Sequence, residues 1–282
     1  MACTILRKEE LAPDINLLEI AAPMVARKAR AGQFIIIRIH EWGERIPLTV
    51  ADYDRDAGTI TAIFLAVGKT TEELAGLASG DGIADVVGPL GNPAEVPRDS
   101  VVVFVGGGVG VAPVFCEARE FKRAGNRVIS ILGARTADLL IWEDRLRAVS
   151  DELYITTDDG TKGHHGFVTD VLAEILAERE VDRVVAIGPA VMMRVVADVT
   201  RPSGVKTIVS LNPIMVDGTG MCGSCRVVVD GKTMFACVDG PEFDAHQVDF
   251  TLLMSRLAAY REEEALSLER FHGEKTDGVG GK

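Results

Sequence analysis

The run Val101-Val102-Val103-Phe104-Val105 passes straight into Gly106-Gly107-Gly108-Val109-Gly110-Val111-Ala112-Pro113, and no other stretch constrains the fold more. An unbroken apolar run has no polar face, so it suits a strand covered on both sides, as in parallel sheets flanked by crossover helices. Similar runs recur at 127–132, 153–157, 183–187 and 205–210, and helical patterns at 112–124 and 167–179 separate several of them. Strand and helix in alternation predict an α/β unit with a parallel sheet over residues 99–210. A loop of glycines between strand and helix lets backbone amides close on a phosphate; for the glycines alone, a plain tight turn is the alternative. Gly188-Pro189 and Thr157-Asp158-Asp159-Gly160 stand at two further strand ends, the edge on which such sheets bind ligands. Arg135, past the strand ending at Leu132, suits a 2′-phosphate and equally the face of an adenine.

Residues 1–98 follow a different rhythm. Short apolar segments at 33–39 and 59–67 are punctuated by Gly, Pro and Asp, which predicts a small antiparallel barrel interrupted by a helix near 71–77. In Arg45-Ile46-Pro47-Leu48-Thr49, an extended backbone puts Arg45, Pro47 and Thr49 on one face. Taken alone that is a surface arginine and a strand threonine. In Gly68-Lys69-Thr70-Thr71, either Thr70 or Thr71 suits a helix cap or a bound phosphate.

Residues 211–249 hold three of the five cysteines: Cys222, Cys225 and Cys237. Glycines at 218, 220 and 223 crowd the first pair, and Arg226 to Phe235 reads as a hairpin with a type I′ turn at Asp230-Gly231. Thiolates beside a glycine-rich loop point to metal or redox chemistry. A 2Fe-2S cluster and a zinc ion, the latter completed by Asp217 or His246, are both open on these residues. Cys3 and Cys116 lie far from the other three and read as buried or incidental thiols. His164-His165 falls in a turn and is expected to be exposed near the nucleotide. From Phe250 to about 271 the pattern is one amphipathic helix, followed by a polar, glycine-rich tail to residue 282.

The chain's 282 residues allow two or three domains. A formal charge of −12 argues against nucleic acid as a partner, since phosphates demand clustered Lys and Arg. The apolar runs fall short of a membrane span and no cleavable leader is visible, so a cytoplasmic protein is expected.

Together these motifs resemble the ferredoxin-reductase superfamily over nearly the whole chain to about residue 250. Arg45-Ile46-Pro47-Leu48-Thr49 is similar to that family's flavin motif, which implies that Arg45 meets the FAD pyrophosphate and Thr49 tunes the flavin edge, with no side chain doing the chemistry. Gly68, Thr70 and Thr71 resemble the second FAD phosphate segment, and Val87-Gly88-Pro89-Leu90-Gly91-Asn92-Pro93 the loop that closes the barrel. Gly106, Gly107, Gly108 and Gly110 resemble the pyridine-nucleotide loop, and Gly188-Pro189 the motif beside the nicotinamide; Ile187 replaces that motif's cysteine. Asp158 and Asp159 then bound the nicotinamide pocket, and the nucleotide expected is NAD(H), with NADP(H) possible.

The cysteine run resembles plant-type ferredoxin spacing except that Asp217 stands where a first cysteine belongs. It closely resembles the small subunits of NADH-dependent reduced ferredoxin:NADP+ oxidoreductases, which implies Asp217, Cys222, Cys225 and Cys237 as ligands of a 2Fe-2S cluster. That resemblance also implies electron transfer between NAD(P)H, FAD and the cluster. It further implies a larger iron–sulfur flavoprotein as partner in a heterodimer, ferredoxin reached through that partner, and electron bifurcation in the complex. An electron-transfer subunit of dihydroorotate dehydrogenase has a comparable layout with four cysteines; a zinc-structured assembly module is the remaining alternative.

Overall fold

A computed structural model of the chain describes residues 3–278. The first half comprises strands β1 (Cys3–Ala12) and β2 (Ile15–Ala21), a short helix α1 (Pro23–Ala26), and strands β3 (Phe34–Arg38), β4 (Arg45–Asp54) and β5 (Thr59–Leu65). Helix α2 (Lys69–Ala75) and strands β6 (Gly82–Ile83) and β7 (Asp85–Leu90) complete it. The strands form one antiparallel near-barrel sheet in the order β6-β1-β2-β5-β4-β3-β7. Its interior is aliphatic, with Ile5, Leu18, Ile20, Ile35, Ile37, Ile60 and Leu74 fully covered. The two expected strand segments are β3 and β5, and the helix starts two residues earlier than its pattern suggested.

The second half opens with β8 (Val101–Gly107), a single 3-10 turn at Gly108–Gly110, and α3 (Val111–Arg123). It continues through β9 (Arg127–Ala134), α4 (Glu143–Val149), β10 (Glu152–Thr157), β11 (His164–His165), α5 (Val168–Glu178), β12 (Arg183–Ile187), α6 (Ala190–Thr200) and β13 (Lys206–Ser210). The five apolar runs are β8, β9, β10, β12 and β13, all parallel, which confirms the α/β reading. Both faces of β8 are covered, because Val103 and Val105 enter one core and Val102 and Phe104 the other. Phe104 meets Phe121 of α3 edge-on at 5.0 Å, the arrangement aromatic quadrupoles favour. His164 and His165 are not in a turn; they pair with Thr156 and Thr157 as an edge strand.

The last part holds β14 (Arg226–Val229), β15 (Lys232–Phe235), β16 (Glu242–Asp244), α7 (Phe250–Leu257) and α8 (Arg261–Gly278). The hairpin is as expected: Asp230 and Gly231 have φ of 51° and 69°, both positive as a type I′ turn requires. β16 was not anticipated. It adds to the parallel sheet as an antiparallel edge on β13, with Val209 opposite Phe243. The single terminal helix is corrected to two. The chain breaks at 258–260, and Glu262, Glu263 and Glu264 open a new helix, where acidic side chains face the positive end of its dipole. The expected tail from 273 is helical as far as residue 278, and residues 279–282 lie outside the described part.

Two cores knit these parts together. One joins Phe34 and Ile36 of the barrel to Val103 and Val105 of the parallel sheet and to Cys225, Val227 and Cys237. The other joins Leu17, Ala51 and Ile63 of the barrel to α3.

Candidate functional site

The loops after β10, β9, β8 and β12, neighbours in that order within the parallel sheet, lie along its carboxyl edge. Gly106 of β8 is in register with Ile187 of β12. A Cβ on Gly110 would lie 2.2 Å from the Ile187 carbonyl oxygen, so the glycine loop touches the Ile187-Gly188 turn backbone to backbone and no side chain fits. A Cβ on Gly107 would lie 2.5 Å from Met192 Sδ, and one on Gly188 2.9 Å from Met192 Cε. Met192 therefore roofs both glycines. Sequence reasoning overlooked it, although its place three residues past Gly188-Pro189 on a helix that returns over the loop was the signal. On the other side, Asp158 N–H donates to the Ala134 carbonyl at 3.1 Å and Asp159 N–H to that of Arg135 at 3.2 Å, which brings Arg135, Asp158 and Asp159 together. The Asp159 carboxylate accepts from the Thr161 hydroxyl at 2.7 Å and its N–H at 3.0 Å, bonds that hold its pKa below the usual value. Gly108, with φ of 55°, faces open space.

The barrel motifs meet at a second place. Arg45, exposed, begins β4 opposite Arg38, with Pro47 opposite Ile36 and Thr49 opposite Phe34. Glu44 accepts a hydrogen bond from the Thr70 hydroxyl, which ties the Arg45 segment to the start of α2. Thr71 takes the capping role: its hydroxyl accepts from the Gly68 N–H at 3.0 Å and the Val67 N–H at 3.1 Å. Leu48, half-buried, packs on the barrel core. α8 returns over α2, where His272 Nε2 lies 2.7 Å from Glu72.

The cysteine loop lies against the barrel wall. A Cβ on Gly218, at φ of 80°, would lie 2.8 Å from Ile36 Cγ1 and 2.9 Å from Leu90 Cδ1. The loop that closes the barrel adds a hydrogen bond, since the Asn92 N–H donates to the Gly240 carbonyl at 2.7 Å. Asp217 Oδ2 accepts from the Thr219 hydroxyl, the Thr219 N–H at 3.0 Å and the Met221 N–H at 3.4 Å. These bonds, and then the charge of Arg45, hold its carboxyl below the usual range. The Ser224 hydroxyl and N–H, aided by the Asp217 N–H, lower the Cys222 thiol. Cys225 and Cys237 are buried, with sulfurs 3.2 Å apart and no disulfide. Burial, then the Cys225 sulfur, push Cys237 up to about 12.

This donor set fits an iron–sulfur cluster better than a zinc ion. Structural zinc sites take four Cys or His ligands, and the loop supplies three cysteines and an aspartate. A binuclear cluster needs two protein ligands per iron. The loop offers such pairs, Cys225 with Cys237 and Asp217 beside Cys222. Held by Cys225 and Cys237, a metal cation would supply the positive charge that deprotonating Cys237 requires. The zinc alternative drew on His246, whose Nε2 is instead 2.9 Å from the Thr200 hydroxyl of α6. The glycine loop fits a dinucleotide in that it is bare backbone, and a Cβ at Gly107, Gly110 or Gly188 would collide with Met192 or the Ile187 carbonyl. Cys116 is buried and its thiol pushed up by that burial; Cys3 is half-buried.

Comparison with known proteins gives the same picture. Residues 212–249 match the profile of the iron-sulfur cluster binding domain of dihydroorotate dehydrogenase B. The chain is 51% identical over 267 residues to a Thermotoga maritima protein named dihydroorotate dehydrogenase B (NAD(+)), electron transfer subunit homolog, covering 95% of this chain and 94% of that one. It is 32% identical over 257 residues to the dihydroorotate dehydrogenase B electron transfer subunit of Fusobacterium nucleatum, covering 88% and 97%. A solved structure of an NADH-dependent reduced ferredoxin-NADP oxidoreductase, described in the context of flavin-based electron bifurcation, superimposes with a TM-score of 0.91. It is 49% identical and covers 96% of this chain and 98% of that one. A ferredoxin NADP+ reductase from Neisseria gonorrhoeae shares the fold at a TM-score of 0.62 and 19% identity, over 72% and 91%. The chain belongs to the family of dihydroorotate dehydrogenase B electron-transfer subunits and their homologues, built on the ferredoxin-reductase fold.

Proposed function

We propose that this chain passes electrons between NAD(P)H, FAD and a 2Fe-2S cluster as the small subunit of an electron-bifurcating ferredoxin:NADP+ oxidoreductase. The observation that carries the reading is the cysteine loop laid on β3, with Gly218 against Ile36 and the Asp217 carboxyl within the field of Arg45. When bound, the flavin exchanges electrons in pairs with the nicotinamide and singly with the cluster; the chain's work is orientation and tuning. Arg45 neutralises the FAD pyrophosphate, Pro47 and Leu48 shape the strand beneath it, and Thr49 donates near the flavin edge. Gly68, Thr70 and Thr71 hold the second phosphate segment. Gly106, Gly107, Gly108 and Gly110 seat the dinucleotide, preferably NAD(H), while Arg135 meets its adenine or 2′-phosphate end. Asp158 and Asp159 bound the nicotinamide pocket opposite Gly188 and Pro189. Asp217, Cys222, Cys225 and Cys237 hold the cluster. The same reading divides the chain into a flavin-binding barrel (1–98), a nucleotide-binding unit (99–210), a cluster segment (211–249) and a C-terminal helical part (250–282).

The partner in this reading is a larger iron–sulfur flavoprotein that reaches ferredoxin. Its docking surface is the rim of the cysteine loop, where Val216, Met221 and Val238 are 47%, 88% and 42% exposed. No described helix is long and apolar enough to cross a membrane, in keeping with work in the cytoplasm. Anaerobic purification followed by absorption and EPR spectroscopy tests the reading: flavin bands with a reducible S = 1/2 signal are expected, and colourless protein containing zinc would sink it. A second reading, service to a dihydroorotate dehydrogenase, is favoured by the name of the Thermotoga relative. Copurification from the native host separates the two by the partner recovered.

A further inference from the structure

Glu117 lies in the middle of α3 and is 1% exposed. Neither of its carboxylate oxygens has a hydrogen-bond partner. Glu242, first residue of β16, is half-buried, and its covered Oε1 lacks a partner too. Of the five covered side-chain N and O atoms without a partner among the described residues, three belong to these two side chains. Such atoms are rare in native folds, and their concentration at one spot asks for one explanation. Two ionised carboxylates do not stay side by side away from water, because desolvation and repulsion both act against it. Burial first, then Glu242, raise Glu117 well above the ordinary carboxyl range, and burial raises Glu242 as well. A protonated carboxyl supplies the donor that the orphaned oxygens lack.

The two residues come from different parts of the molecule. Glu117 stands on the helix that follows the glycine loop. Glu242 follows Cys237 by five positions, and the carbonyls of Gly240 and Pro241 just before it accept from Asn92 and Leu211 N–H groups at 2.7 and 2.9 Å. A Cβ on Gly32, in the loop before β3, would lie 3.0 Å from Glu242 Oε1, so the barrel closes the third side. The charged and titratable groups that face the pair are Arg183 of β12, Glu95 of the loop before β8, and Cys116 beside Glu117 on α3. Arg183 is shared: it donates to the Glu95 carbonyl at 2.6 Å and reaches the Glu95 carboxylate at 3.4 Å.

We infer that Glu117 and Glu242 share a single proton, and that this proton closes the joint between α3, β16 and the barrel, so that the segment after Cys237 is seated in a pH-dependent way. The inference needs neither flavin nor cluster, and its test is independent of theirs. In the unfolded chain both carboxyls ionise near the ordinary value of 4.5, while the folded joint keeps one proton. Above that value the native state binds one proton more than the unfolded state. Stability therefore falls as pH rises, about tenfold in the folding equilibrium constant per pH unit, until the pair itself ionises.

Urea unfolding of the full chain at a series of pH values from about 5.5 to about 8.5 tests this with Glu117→Gln and Glu242→Gln. The amide keeps the shape and carries a fixed donor. The wild type should lose about one more factor of ten in folding constant per pH unit than either variant, and both variants should overtake it at the alkaline end. Parallel profiles for all three proteins overturn the inference. Infrared spectra of wild-type protein labelled at glutamate carboxyls give an answer even where a variant does not fold. A protonated-carboxyl band persisting at neutral pH is expected, and its absence refutes the shared proton.

Discussion

Asp217 is prepared by its neighbours before any cofactor arrives. Three donors converge on its Oδ2, so the carboxylate is held ionised and fixed in place while Oδ1 takes none of those bonds. In the ligand role proposed for Asp217, a hard oxygen in place of a thiolate would alter the charge and donor strength of the site. Asp217→Ala should lose the cluster, and Asp217→Cys should keep it with a shifted reduction potential, both read by EPR-monitored titration. An unchanged signal in both variants removes Asp217 from the ligand set. Gly110 is a sharper steric case. A methyl there would sit 2.2 Å from the Ile187 oxygen, so Gly110→Ala must push the glycine loop off the Ile187-Gly188 turn. A loss of about 1–3 kcal/mol in urea unfolding is expected, the usual size of an overpacked contact, together with weaker binding of nicotinamide nucleotide by calorimetry.

At the scale of elements, local chemistry explains most starts and stops. Asp249 caps α7 by accepting from the Leu252 N–H at 2.9 Å. Asp249→Ala should cost about 1 kcal/mol of stability in a denaturant melt, the usual size of an N-cap. The break after α7 was hidden because residues 258–260 are Ala-Ala-Tyr, with no Gly or Pro among them, so nothing local marks the turn. The acidic triplet at 262–264 was the better signal, since it marks a helix beginning. α8 crosses α2 through the exposed pair of His272 and Glu72. Solvent screens such a pair, so His272→Ala should move thermal stability by less than about 1 kcal/mol.

The whole molecule depends on a seam that no local pattern foretold. The cysteine loop reaches the barrel through Gly218, whose missing side chain makes room for Ile36 and Leu90. Gly218→Val adds bulk at a left-handed backbone position and against a buried wall, so it should leave flavin bound while emptying the cluster site. The iron-to-flavin ratio of the purified variant is the measurement, and an unchanged ratio contradicts the role given to this contact. Met192 and the Glu117–Glu242 joint belong to the same class: each is made by residues remote in sequence, brought together by two cores that the barrel, the parallel sheet and the cysteine segment share.

The sequence by itself determined what depends on neighbouring residues along the chain. Unbroken apolar runs fold as strands covered on both faces, Gly106 to Gly110 can only be a tight strand-to-helix loop, and Asp230-Gly231 fits only a turn with two positive φ angles. Backbone sterics and burial decide these, and both can be read within a few residues. Tertiary structure alone decided that β16 closes the sheet beside β13, that His246 turns to Thr200, and that the buried Glu117 and the covered Oε1 of Glu242 share one interior. Those outcomes follow from how whole surfaces pack. Glu117 and Glu242 stand on separate elements whose local patterns say nothing of each other, and only a shared interior makes them neighbours.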